Sequence, residues 1–175
     1  MADDRKSTIS SAATAEELRS FKAHQQVFPK TAAAPAKENI YGLRLADLEK
    51  ELVAMGQKPY RAKQLFNWLY RKKATSFAEM TDIGAELRSA LESKYAFYRP
   101  QPIIEEDSKD GTVKTLSRLY DGSDIESVLM RYAFGDSVCV TSEVGCNMGC
   151  RFCASGLIKK SRGLTAGEMV GQVLN

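Results

Sequence analysis

The sequence predicts an α/β chain laid out in three consecutive parts: a small helical unit, an antiparallel β-meander, and a strand, loop and helix that open a βα unit. Three observations carry this expectation. Apolar residues recur at helical spacing between Tyr41 and Tyr98. Two Asp-Gly pairs, at Asp110 and Asp121, then separate runs rich in Val, Ile, Leu and Tyr, which is the pattern of β-hairpins. Last, a glycine-bearing loop crowded with cysteines follows an apolar run and precedes Thr165 and Glu168, spaced as a helix-capping box.

With 175 residues, 43% of them hydrophobic, the chain can bury a core without covalent staples. Its net charge of +3 is too small to select a partner. No apolar run approaches the roughly 18 residues of a membrane span. The first residues carry Asp3, Asp4, Glu16 and Glu17, unlike a signal or transit peptide, so a cytoplasmic, membrane-free protein is expected. The four cysteines lie between Cys139 and Cys153, a clustering that points to metal or redox chemistry rather than a disulfide framework. His24, the only histidine, reads as a solvated surface residue.

Residues 1–39 mix Ala, Ser, Lys and Gln with Pro29 and Pro35 and read as an extension without a core, save for one short helix that Thr14 and Glu17 are spaced to cap. Residues 40–99 read as a helical accessory domain. Leu45, Leu48, Leu52 and Met55 form a first helix stopped by Gly56. Pro59 opens a second, with Ala62, Leu65, Phe66, Leu69 and Tyr70 as its apolar stripe. Leu87, Leu91 and Tyr95 mark a third, preceded by a capping box at Ser76 and Glu79. No acidic residue falls between Leu52 and Ala78, whereas Lys58, Arg61, Lys63, Arg71, Lys72 and Lys73 do. That excess suits phosphate contacts, and equally an ordinary solvated helix face.

Residues 100–175 form the remaining part. Ile103 to Ser108, Val113 to Tyr120 and Ile125 to Tyr132 read as the meander, and Val138 to Thr141 as a short buried strand. Cys146, Cys150 and Cys153 then spell C-x3-C-x2-C, and the closing helix runs through Met169, Val170 and Val173. Three thiolates on a cluster of four irons and four sulfides leave one iron open to a ligand. Gly145, Gly149 and Gly156 permit the tight backbone, and Phe152 is placed to shield the cluster. The competing reading is zinc on Cys139, Cys146, Cys150 and Cys153, disfavoured because Cys139 sits in a strand and zinc sites usually draw on two separate cysteine pairs.

The cysteine loop, with an aromatic residue before the last cysteine, resembles the signature of the radical S-adenosylmethionine superfamily. The resemblance extends to the RlmN family through Gly56 to Tyr70, Phe77 to Thr81, Asp121 to Val128 and Ser137 to Cys146. It implies a partial (β/α)6 barrel beginning here. It also implies a 4Fe–4S cluster on Cys146, Cys150 and Cys153, with S-adenosyl-L-methionine chelated at the open iron. The implied activity is methylation of carbon 2 of an adenosine in 23S rRNA and in tRNA through a methyl-cysteine intermediate.

In that family a second cysteine, placed as Cys139 is here, takes the ring proton and ends in a disulfide with the methyl-carrying cysteine, and a glutamate at the place of Glu126 is also a proton acceptor. Burial in an apolar strand would raise Glu126 toward base strength. An electron donor of the flavodoxin or ferredoxin type and a monomeric state are likewise implied. The related Cfr enzymes, which methylate carbon 8, share most of these features.

Only 22 residues follow Cys153, too few for a barrel, so an inactive fragment lacking the S-adenosylmethionine pocket and the methyl-carrying cysteine is expected. The alternative of another class is a stand-alone RNA-binding or zinc module.

Overall fold

The computed structural model describes residues 36–150 and 158–175. The expectations placed on the Thr14 helix, His24, Phe152, Cys153 and Gly156 lie outside the described residues.

The helical unit is closed by its own ends: strand β1 (Glu38–Asn39) pairs in parallel with β2 (Tyr95–Ala96). Residues assigned by composition to the extension thus take part in it. Between them lie α1 (Leu45–Ala54), α2 (Tyr60–Tyr70) and α3 (Ala85–Lys94), with short 3-10 turns at Ile40–Gly42 and Phe77–Glu79. Leu48 and Leu52 of α1, Leu65 and Leu69 of α2 and Leu91 of α3 are all but fully buried, as their helical spacing requires. Gly56 ends α1 in the left-handed region at φ 73°, where its own N–H donates to the Val53 carbonyl and that of Gln57 to the Leu52 carbonyl. That pair of bonds is a Schellman cap, which glycine forms without steric cost. Pro59 caps α2, where its missing N–H has no helical acceptor to lose.

Two sequence expectations change here. Ser76 makes no capping bond; instead Glu79 gathers the Thr75 N–H and the Thr75 and Ser76 hydroxyls. These bonds hold its carboxyl below the ordinary carboxylate range. Tyr95 belongs to β2 rather than to α3, and is buried there.

The meander is a four-stranded antiparallel sheet in the order β3 (Gln101–Asp107), β4 (Val113–Arg118), β5 (Asp124–Tyr132), β6 (Gly135–Cys139). Both Asp-Gly pairs turn the chain as expected. Gly111 and Gly122 adopt φ 81° and 79°, and Asp110 and Asp121 accept the N–H two residues on. The fourth strand corrects the sequence reading. It starts at Gly135, ends at Cys139 and lies on the sheet edge with Val138 and Val140 more than a third exposed, so it is not a buried strand over Val138 to Thr141. Alternation Val-Cys-Val signals a strand but not which sheet position it takes.

After β6 the chain forms a two-residue antiparallel pair, β7 (Glu143–Val144) with β8 (Arg162–Gly163), and the cysteine loop leaves and re-enters through it. Helix α4 (Ala166–Leu174) follows, opened by a capping box in which Thr165 and Glu168 exchange bonds. It bridges two cores. Met169 packs on Leu119, Ile125, Val144 and Leu164, while Val170 and Leu174 pack on the helical unit. The whole is mixed α and β, as the sequence predicts.

Candidate metal centre and flanking sheet face

Strand β7 delivers Cys146 and β8 receives the returning chain, so the loop is pinned at its base by backbone bonds. The Cys146 N–H donates to the Ile158 carbonyl at 2.9 Å, and the Ser161 N–H to the Val144 carbonyl at 2.9 Å. Gly145 makes this closure possible. Its φ is 70°, and a Cβ there would stand 2.5 Å from the Lys159 carbonyl oxygen. Gly149 is also left-handed, at φ 67°, but has open space around it. Asn147 ties the far side by accepting the Lys160 N–H at 3.0 Å.

Two of the three expected ligands can be placed. Cys146 is half-buried and Cys150 exposed, both free thiols, and Cys153 lies outside the described residues. The Met148 N–H points at the Cys146 sulfur at 3.4 Å, the kind of contact that stabilises a thiolate bound to iron. Glu143 and Lys160 form an ion pair beside Cys146, and the Lys160 ammonium, with a lesser contribution from the Cys146 thiol, holds the Glu143 carboxyl below its ordinary range. Among the described residues no three metal-binding side chains converge. A loop whose donors are thiols, turned by left-handed glycines and supplied with an N–H to sulfur, fits an iron–sulfur cluster.

Cys139 and Glu126 sit elsewhere, on the sheet. Cys139 pairs with Val128, two residues from Glu126, so the two side chains share one face as diagonal neighbours, roughly 7–8 Å apart at Cα. Lys114, opposite Val128 on the other side, places its ammonium 2.9 Å from a Glu126 oxygen. Glu126 is about half exposed and ion-paired, so the burial expected to act on it is not present in these residues. Cys139 is exposed rather than a buried hydrophobe.

Sequence reading missed the parts that connect sheet, loop and helix. Thr141, just past β6, donates its hydroxyl to the Glu126 carbonyl and is clamped on both backbone groups by the buried Gln172 side chain of α4, at 2.9 and 2.8 Å. Arg162 of β8 reaches Asp121 in the second hairpin and Glu168 in α4. Glu168 and Gln172 stand four residues apart, on one face of a helix. That spacing was the available signal.

The fold matches part of a radical SAM methyltransferase. The crystal structure of one from Sphaerobacter thermophilus matches with a TM-score of 0.70 and 45% identity, over 78% of this chain and 40% of that one. Residues 38–96 match the family described as the ribosomal RNA large subunit methyltransferase N-terminal domain. Proteins named as probable dual-specificity RNA methyltransferase RlmN are 53% identical in Exiguobacterium sibiricum and 50% in Shouchella clausii, each over 79% of this chain. The chain belongs to the RlmN family, and it spans 39% of the length of each of these two relatives.

Proposed function

We propose that this chain supplies the RNA-contacting and cluster-holding parts of a methyltransferase that acts on carbon 2 of adenosine in 23S rRNA and tRNA, in the cytoplasm. The observation that carries the reading is the cysteine loop, closed over Gly145 and presenting free thiols, in a chain about half identical to proteins so named. Cys146, Cys150 and Cys153 are the residues that would hold a 4Fe–4S cluster. When bound, that cluster would bind S-adenosyl-L-methionine at its open iron and supply the electron for its cleavage.

The rest is the work of the chain's own groups. Glu126 and Cys139, which share one sheet face, are the groups that would accept protons in this reading, and Lys114 pairs with the Glu126 carboxylate. Gln172, holding Thr141, fixes where β6 ends relative to the loop. Residues 40–99 act as the accessory RNA-binding unit and residues 100–175 as the sheet and cluster unit. An electron donor of the flavodoxin or ferredoxin type and a monomeric state complete the proposal, with a disulfide from Cys139 forming only during turnover.

Anaerobic reconstitution with iron and sulfide tests it. We expect about four irons per chain, with visible absorbance, lost on Cys146→Ser, Cys150→Ser or Cys153→Ser and retained on Cys139→Ser. A colourless zinc complex, or iron content indifferent to the three loop substitutions, would refute the reading.

A further inference from the structure

Between α1 and α2 the helical unit leaves an open cleft of about 230 Å³ lined by Leu45, Lys63, Phe66, Asn67, Tyr70 and Arg71. We propose that this cleft seats one unpaired nucleotide of an RNA strand, its base on the apolar floor and its flanking phosphates on Lys63 and Arg71. The proposal rests on the RNA-acting reading above and names a contact site within it.

The floor is apolar, aromatic and fixed. Phe66 and Tyr70 lie against each other with ring centroids 4.3 Å apart, and the Tyr70 hydroxyl donates to the Tyr41 carbonyl at 3.0 Å, which holds that ring in place. Both rings are only partly buried, so apolar surface remains for a base to cover. Asn67 also lines the cleft, and its side-chain amide offers a donor and an acceptor and makes no hydrogen bond among the described residues. An amide over an aromatic floor is the chemistry that reads the edge of a stacked base.

The rim is cationic and uncompensated. Lys63 and Arg71 form no ion pair among the described residues. The carboxylates that flank this window along the chain are engaged elsewhere: Glu51 takes the Lys94 ammonium, and Glu79 the Thr75 N–H and the Thr75 and Ser76 hydroxyls. Arg61, which the sequence groups with the phosphate-binding cations, is also turned away, donating to Gln64 and to the Asp82 carbonyl. Lys63 and Arg71 are therefore the cations left at this cleft.

Eight residues of helix separate them, about 12 Å of rise, so their head groups flank the floor from opposite ends instead of meeting on one phosphate. A nucleotide inside a strand presents that arrangement, a base with a phosphate on each side. A free mononucleotide carries only one.

The test uses the 1–175 chain, a single-stranded RNA octamer carrying 2-aminopurine, and adenosine monophosphate as a second ligand. Stacking in the cleft should quench 2-aminopurine. Lys63→Gln and Arg71→Gln should each lower the salt slope of binding by about one. Asn67→Trp, which fills the cleft without changing charge, should weaken octamer binding at least tenfold and abolish quenching, with Asn67→Ala as a milder variant and circular dichroism to confirm folding. RNA binding with slope and quenching unchanged in every variant would sink the cleft while leaving the RNA reading standing. Mononucleotide binding as tight as the octamer would make it a free-nucleotide site and overturn the strand assignment. No RNA binding by the unaltered chain would overturn both readings.

Discussion

Arg162 grips Glu168 with two hydrogen bonds, 2.9 and 2.7 Å, and through its Nε it also holds Asp121 at 2.7 Å. One guanidinium thereby joins the strand that closes the cysteine loop, the helix that follows it and the second turn of the meander. Glu168 is only 2% exposed, so the carboxylate depends on its partners for the solvation it has lost. Glu168→Ala leaves Arg162 with half its acceptors, though Asp121 and some solvent remain. The loss expected is about 2–3 kcal/mol, at or below the lower end for a broken buried pair. Urea unfolding of the 1–175 chain measures it, and Glu168→Gln, which keeps a hydrogen-bond acceptor, should lose less.

The same cluster sets an acid limit. Burial by itself pushes the Glu168 and Asp121 carboxyls up, but Arg162, the Thr165 N–H at Glu168 and the Ser123 N–H at Asp121 outweigh it, and both end below their ordinary values of 4.5 and 3.8. A carboxyl depressed in the folded state contributes stability that is fully present above its unfolded value and disappears as pH falls through the folded one. Stability should therefore be level from neutral pH down to about 5 and fall steeply below about 4.5. Thermal melts across that range check it. Glu168→Gln should flatten the acid limb, and an unaltered limb would mean that other carboxylates control it.

How much of this was legible in the sequence depends on how local the cause is. The Thr165 and Glu168 box is written in a three-residue spacing, and it forms. The second role of Glu168 is not, because Arg162 and Asp121 reach it only after the hairpins fold. Val138 to Thr141 looked buried because its side chains are apolar, yet an edge position is decided by which strand pairs on the far side. Cys146 and Cys150 were legible as members of a tight loop. What makes the loop tight is the approach of the Lys159 carbonyl to Gly145, a contact across 14 residues of chain that no local pattern encodes. Lys63 and Arg71 were visible as charges, whereas the cleft they flank exists only once Leu45 of α1 comes to line it beside α2.

Gly145 and Gly149 separate conformational strain from steric closure at the same loop. Both have left-handed φ, so alanine costs each of them about 1 kcal/mol from backbone preference. Only at Gly145 does the new methyl group also collide with backbone, 2.5 Å from one carbonyl oxygen and 2.7 Å from another. Gly149→Ala should reconstitute with near-normal iron. Gly145→Ala should force β7 from β8 and lose most of it. Iron and sulfide analysis after anaerobic loading checks both, and equal retention by the two variants would show that the base of the loop has room to give.

Gly167 tests whether α4 is seated by close approach to the helical unit. A Cβ at this position would lie 2.6 Å from Asn39 Nδ2 and 3.0 Å from the Gly42 nitrogen. Asn39 cannot readily yield, because its amide donates to the Tyr98 carbonyl at 2.8 Å and accepts the Tyr41 N–H at 3.2 Å. Alanine favours a helix over glycine by about 1 kcal/mol, which would stabilise α4 if nothing else changed. Overpacking against a fixed neighbour costs about 1–3 kcal/mol, so the clash should win or at least cancel the gain. Gly171→Ala meets Pro100 Cδ at 2.7 Å and should behave alike. The double variant should lift Leu174 out of the helical core and lower the urea midpoint beyond either single change. A midpoint raised by Gly167→Ala would show instead that α4 rests loosely on the unit it caps.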